Sequence, residues 1–216
     1  MRVGIFGGTF DPIHAGHLAA ARAAMECARL DRVIFIPSAQ PPHRAAATAP
    51  AEDRLAMTSL AIQGEPRFEV SDEEVTRGGM SYTADTLAEL RRERPSDELF
   101  LILGADAARL FRTWHEPDRV RKLSSVVIVD RPGLGQVTAS ELAGLGLDPA
   151  RVVKCHVATP DVSASALRRA IAAGRPLTGQ LPPAVERYIA EHRLYPQPAG
   201  PAKPTGPTSP RGGEAG

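Results

Sequence analysis

The sequence predicts an α/β fold: a doubly wound, mainly parallel sheet with helices on both faces. Six short β-rich runs alternate with longer helical patterns between the N-terminus and about residue 195. Most of those runs are continuously apolar rather than alternating, as strands buried on both faces are. The β-α-β alternation calls for right-handed crossovers between parallel strands. Together these features describe a Rossmann-like sheet, in which ligands bind at the carboxyl ends of the strands near the point where strand order reverses.

Strands are expected at Val3–Phe6, Val33–Ile36, Phe68–Val70, Leu99–Leu103, Val126–Val129 and Val152–Val157. Helices are expected at about 15–29, 51–63, 82–93, 105–112, 117–123, 163–173 and 183–193. The first helix follows a Gly-Gly turn and Pro12, a residue that suits a helix start. The second has Leu55, Thr58, Ser59, Leu60 and Ile62 near helical spacing and stops at Gly64. Ser81, Thr83 or Asp85 suits the cap of the third, Asp106 that of the fourth, and Ser163 and Ser165 stand at the start of the sixth. Beyond Tyr195 the composition changes: 11 of the 21 residues Pro196–Gly216 are Pro or Gly, with no large apolar residue. Such a segment lacks the apolar surface to offset its ordering entropy. Residues 1–195 are therefore expected to form one domain and 196–216 a disordered tail.

The 216 residues carry 26 Lys+Arg against 25 Asp+Glu, a formal charge of +1. That balance argues against a bulk electrostatic grip on nucleic acid or on a membrane surface, and leaves room for a local basic pocket. Three of the 26 basic residues are Lys. With the abundant Ala this reads as a genome-composition bias, so a surface Arg is weak evidence of function. No run approaches the ~20 apolar residues of a membrane span, and the N-terminal residues have no secretory pattern. Aromatic residues make up 5%, so a mostly aliphatic core is expected. Cys27 and Cys155 lie far apart with no CxxC partner, which predicts neither a disulfide framework nor a structural zinc. A cytoplasmic protein is expected.

The first strand end carries the strongest motif, GGTFDPIHAGH at Gly7–His17. Gly7 and Gly8 allow a sharp turn and close approach to a ligand. His14 and His17, three apart, share one helix face in the first turn, where unpaired N–H groups and the positive dipole end favour phosphate. Two imidazole donors there suit a polyphosphate. A plain glycine turn with two incidental histidines stays open. An HxxH zinc pair is disfavoured by the lack of a Glu between the histidines and of a third ligand. There is neither a GxGxxG fingerprint nor a GxxxxGK[ST] loop, which disfavours an ordinary NAD-dependent oxidoreductase and a P-loop NTPase.

The other strand ends add weaker signals. PSAQPPHR at 37–44 is a Pro-stiffened loop from which Gln40, His43 and Arg44 project. SYTADTL at 81–87 opens a helix whose N–H groups suit a carboxylate. Gly104 and Asp106 suit a nucleoside approaching a strand end, with the acid accepting from ribose hydroxyls. Trp114, the single Trp, lies in polar RTWHEP, and its face can stack on a pyridine ring. In DVSASALRR at 161–169, Ser163 and Ser165 read as caps or phosphate donors and Arg168 reaches the same anion. Each of these also has an ordinary structural reading as a loop, a cap or a core residue.

Taken in order, the motifs resemble the bacterial nicotinate-nucleotide adenylyltransferases, within the (T/H)xxH nucleotidyltransferases. The resemblance covers essentially all of 1–195. It implies that Gly7, Gly8, Thr9, Phe10, Gly104, Asp106, Ser163 and Ser165 bind ATP and that His14, His17 and Arg168 stabilise the charge of adenylyl transfer. It implies that Gln40, His43, Arg44, Tyr82, Thr83, Trp114, His115 and Arg131 meet nicotinate mononucleotide. Thr83 and neighbouring backbone would hold the carboxylate, and the indole would stack on the ring. His115 departs from the aromatic often found after the Trp, and Val162 and Ser165 replace Ile and Thr in the last motif. Mg²⁺ would travel with the triphosphate rather than in a protein cage. A phosphopantetheine-using relative would share only the first motif. An amide-preferring enzyme and a homo-oligomer both stay open.

Overall fold

The structure, a computed structural model, describes residues 1–42, 47–130, 137–155 and 162–196. In chain order it comprises β1 (Arg2–Gly8), α1 (Ala15–Cys27), β2 (Arg32–Pro37), α2 (Ala51–Ala61), β3 (Phe68–Val70), α3 (Glu73–Arg77) and α4 (Thr83–Glu93). There follow β4 (Glu98–Gly104), α5 (Ala105–Arg109), α6 (Pro117–Leu123), β5 (Ser125–Val129), α7 (Ala139–Gly144), β6 (Val152–Cys155), α8 (Ala164–Ala172) and α9 (Pro183–Glu191). The strands form one sheet in the order β3-β2-β1-β4-β5-β6, and every pairing is parallel. Strand order reverses between β1 and β4, so the carboxyl ends of those two strands frame the binding crevice.

All six expected strands and all seven expected helices are present. The short helices α3 and α7 were not expected from periodicity. The last strand ends at Cys155 among the described residues, and the expected extension to Val157 lies outside them. The tail, apart from Pro196, also lies outside them.

Apolar residues on both faces of the strands account for the two layers of helices. Phe6, Val33, Phe35, Phe100, Ile102, Val127 and Val129 face α1, α2, α8 and α9. The alternate residues Val3, Ile5, Ile34, Ile36, Leu99, Leu101, Leu103, Val126 and Ile128 pack with residues of α4, α5, α6 and α7. Gly4 sits in close packing: a Cβ there would stand 2.7 Å from Leu30 Cδ1 and 2.9 Å from Ile102 Cδ1, so those side-chain ends would have to shift. The aromatic residues are few but concentrated. Phe6, Phe10, Phe35 and Phe68 form a connected group beneath the first-motif loop, with ring centroids 5.2–5.8 Å apart from one contact to the next.

The two cysteines correct the expectation that no disulfide forms. Cys27 ends α1 and Cys155 ends β6, and helix-on-sheet packing brings their Cα atoms to 5.9 Å, where the sulfurs are joined. Sequence separation hid this because the pairing depends on where α1 crosses the sheet. Closing so long a chain segment stabilises a fold by about 2–4 kcal/mol. Thiol titration of denatured protein should find no free thiol before reduction and two after it. Reduction should lower the melting temperature by about 4 °C or more. Two thiols before reduction would show that the pair is not joined.

Candidate active site

Two groups of side chains lie at the carboxyl ends of the strands. The first is built on β1, α1 and α8. Gly7 and Gly8 end β1 in register with Ile36 and Pro37. The sharp turn expected at the glycines comes instead at Phe10, whose φ is +48°. Gly7 has another use: a Cβ there would meet no protein atom within 4 Å, which leaves room for a ligand against the strand end.

His14 caps α1 at its N-terminus and is 2% exposed. His17 lies one turn on, and the two rings stack with centroids 3.7 Å apart. Phe10 and Phe6 meet the His17 ring edge-on at 5.1 and 6.2 Å. The backbone N–H of His14 donates to His17 Nδ1 at 3.2 Å. Nδ1 is therefore the acceptor of the ring, which places the proton of the neutral form on Nε2. Arg168 arrives from α8, 157 residues downstream of Asp11, and its Nη1 donates to the carbonyl of Asp11 at 2.7 Å. The Asp11 carboxylate lies 3.6 Å from the same nitrogen. Ser163 caps α8 by accepting from the backbone N–H of Ala166 at 3.3 Å, and its hydroxyl is 3.4 Å from that of Ser165.

The second group surrounds the start of α4. Tyr82 occupies its N-cap position, and no side chain caps the helix. The caps expected from Ser81, Thr83 or Asp85 are thus not formed, because each side chain is placed or engaged elsewhere. Asp85 pairs with Arg119 at 3.1 Å. Ser81 accepts from the backbone N–H of Ala39 at 2.9 Å. The Ser81 N–H donates to the Gln40 carbonyl at 2.9 Å, so Gln40 stands beside the start of α4. Thr83 begins α4, and the Tyr82 ring packs on His115 at 4.3 Å. Trp114 is half-buried against Phe111 at 5.5 Å, short of the fully buried place of an ordinary core Trp.

Gly104 ends β4 and is itself the N-cap of α5. Asp106, expected as that cap, lies exposed in the first turn without capping it. His43, Arg44 and Arg131 lie outside the described residues.

Three buried polar residues escaped sequence reasoning. Arg54 is 1% exposed, and its guanidinium donates to the carbonyls of Thr9 (2.7 Å), Ala39 (3.1 Å) and Ala49 (3.2 Å). It therefore fixes the β1 loop to the β2 loop, and so the first group to the second. Burial lowers its pKa from the ordinary arginine value, and the Asp11 charge opposes that shift. The Ser38 hydroxyl, at the end of β2, is buried with no hydrogen-bond partner among the described residues. Glu74 is buried beside α4, where it accepts from the Thr86 hydroxyl at 2.6 Å. A signal for Arg54 existed, a lone basic residue among the apolar positions of its helix. Ser38 and Glu74 left none.

No described helix is long and apolar enough to cross a membrane. Among the described residues no group of three or more His, Cys, Asp or Glu could hold a metal ion.

Burial pushes the Glu74 carboxyl above the ordinary range, and hydrogen bonds from Thr86 and Ser81 oppose that shift. A raised folded pKa means that the ionised group disfavours the fold. The contribution is fully present below the unfolded pKa and is lost as pH rises through the folded one. Glu74→Gln should therefore gain in melting temperature over the wild type on going from pH 5 to pH 8, by about 2 °C or more. A difference independent of pH would contradict the shift.

The cytidylyltransferase-like family matches residues 5–170. The protein named "Probable nicotinate-nucleotide adenylyltransferase" of Thermus thermophilus is 47% identical over 195 residues, spanning 90% of this chain and all of the relative. Its namesake in Thermomicrobium roseum is 43% identical over 90% of this chain and 91% of the relative. Among solved structures, the nicotinic acid mononucleotide adenylyltransferase of Plasmodium falciparum complexed with NaAD superposes with a TM-score of 0.75. It covers 90% of this chain and 97% of its own, at 18% identity, a likeness of fold.

Proposed function

The chain belongs to the cytidylyltransferase-like family, among its nicotinate-nucleotide adenylyltransferases, and from that premise we propose how its residues carry the reaction. The enzyme transfers the adenylyl group of ATP to nicotinate mononucleotide, giving nicotinate adenine dinucleotide and pyrophosphate in NAD biosynthesis. The observation that supports the reading is that Arg168 reaches Asp11, in the loop that leads into the stacked His14 and His17, although 151 residues separate His17 from Arg168.

The mononucleotide's 5′-phosphate is already a nucleophile. One of its oxygens attacks the α-phosphorus in line, the bond to the β-phosphate oxygen breaks, and pyrophosphate leaves. No covalent enzyme intermediate is required. The protein aligns the partners and stabilises charge spread over the phosphate oxygens. His17 donates from Nε2, and His14, Ser163, Ser165 and the guanidinium of Arg168 complete an anion-binding set around the opening beside Gly7 and Gly8. Thr9 and Phe10 shape the loop. Gly104 and Asp106, at the end of β4, are assigned to adenosine. On the mononucleotide side, the uncapped start of α4 and Thr83 receive the nicotinate carboxylate. Trp114, with Tyr82 and His115 beside it, supplies the stacking face. Gln40, His43, Arg44 and Arg131 are assigned to the same substrate.

The described donors are imidazole, hydroxyl and guanidinium groups, which suit anions rather than a cation. Mg²⁺ would therefore enter with the triphosphate, and these residues would hold the phosphates that carry it. When bound it neutralises part of the phosphate charge. Residues 1–195 form the catalytic unit in this proposal, and a cytoplasmic location is assigned with it.

Steady-state assay of pyrophosphate release from ATP and nicotinate mononucleotide tests the assignment. His17→Ala should lower turnover by ~10²-fold or more, the scale of one lost charge-stabilising donor, with the circular dichroism spectrum unchanged. Turnover near that of the wild type would remove His17 from the reaction.

A further inference from the structure

The mechanism uses Arg168 but does not say what holds it. Its anchor is Asp11, which is 4% exposed. The Asp11 carboxylate accepts three hydrogen bonds: from the Thr48 N–H at 2.7 Å, the Ala49 N–H at 3.1 Å and the Tyr195 hydroxyl at 2.7 Å. Tyr195 comes from the turn after α9, 184 residues from Asp11 in sequence. It is 4% exposed and adopts φ +58°, a left-handed conformation that a bulky residue keeps only when its surroundings impose it. Burial first, and then the Asp11 carboxylate, push its hydroxyl far above the ordinary tyrosine range, so it remains a donor at any working pH.

The geometry points to Tyr195 as a positioning residue for adenylyl transfer: its hydroxyl fixes Asp11, and Asp11 fixes the guanidinium of Arg168 toward the reacting phosphates. The inference rests on the adenylyl-transfer reading above. Arg168 is the ion-pair partner of this carboxylate, at 3.6 Å, while Arg54 feels its charge without pairing with it. Arg54 is spent on the carbonyls of Thr9, Ala39 and Ala49, which leaves the Arg168 charge to face substrate. Without the Tyr195 bond the carboxylate keeps only the Thr48 and Ala49 donors and can turn away from Arg168, which loses its fixed direction. A guanidinium that acts on charge developed in the transition state should then weaken turnover rather than binding.

The test is a double-mutant cycle on the full chain with Tyr195→Phe and Arg168→Lys, assayed with ATP and nicotinate mononucleotide. Tyr195→Phe should lower kcat about 5- to 30-fold while both KM values stay within about twofold. In the Arg168→Lys background the same change should have less than a third of that effect, since the group it positions is already altered. Leu194→Ala, on the same turn, should lower the melting temperature and leave kcat unchanged, because the hydroxyl remains. Asp11→Asn keeps the side-chain volume and the carbonyl used by Arg168. It should lower kcat in the same sense, and it decides the matter if Tyr195→Phe does not fold. Tyr195→Phe with kcat within twofold of the wild type would overturn the inference, as would equal effects in the two backgrounds. A wild type that releases no pyrophosphate from this substrate pair would overturn the adenylyl-transfer reading and the inference with it.

Discussion

A carboxylate can be shut away from water only where hydrogen bonds replace its hydration. Asp11 is such a group: its carboxylate accepts from Thr48 and Ala49, which precede α2, and from Tyr195, which follows α9. Arg168, on α8, donates to the Asp11 backbone carbonyl and lies 3.6 Å from the carboxylate as an ion pair. The residue sits at the end of the β1 loop, so satisfying its charge draws α2, α8 and the turn after α9 onto the first strand end. Removing one partner of a buried ionic group of this kind typically costs about 3–5 kcal/mol. Arg54 complements it: three donated bonds to carbonyls of two loops hold the neighbouring segments at fixed separation. The histidine group on one side of the crevice and the aromatic group on the other are thus parts of one rigid frame, set over the reversal of strand order between β1 and β4.

Much of that frame was legible in the sequence. Continuous apolar runs marked the strands because both faces of the sheet are covered, and the structure shows the alternate residues of each strand sorted onto two cores. The first motif was legible because glycine, proline and paired histidines in eleven residues leave few other uses. The short helices α3 and α7 were hidden because five or six mostly polar residues carry no periodic signal. The caps were misassigned for a related reason. Ser81 and Asp85 are good caps by type, yet tertiary partners, Ala39 and Arg119, take them first.

What the sequence could not supply were the residues that work through others. Asp11 and Tyr195 make their decisive bonds across 37 to 184 positions, distances at which local pattern says nothing; Arg54 left a local signal in its helix but none for the carbonyls it would hold. The Cys27–Cys155 pair belongs to the same class, since 128 positions separate the two residues. Composition read the core correctly as mostly aliphatic, but not that four phenylalanines gather under the first-motif loop, two of which, Phe6 and Phe10, meet the His17 ring.

The central claim is that the start of α4, uncapped by any side chain, is kept for the substrate's own acid. A carboxylate accepts from every donor there. An amide turns its N–H₂ toward some of them and leaves buried groups unpaired, at about 1–3 kcal/mol. Trp114 stacks on either ring and does not distinguish them. The ratio of kcat/KM for nicotinate mononucleotide to that for nicotinamide mononucleotide tests this most directly. The account predicts roughly tenfold to a hundredfold or more in favour of the acid. Equal values for acid and amide would contradict it.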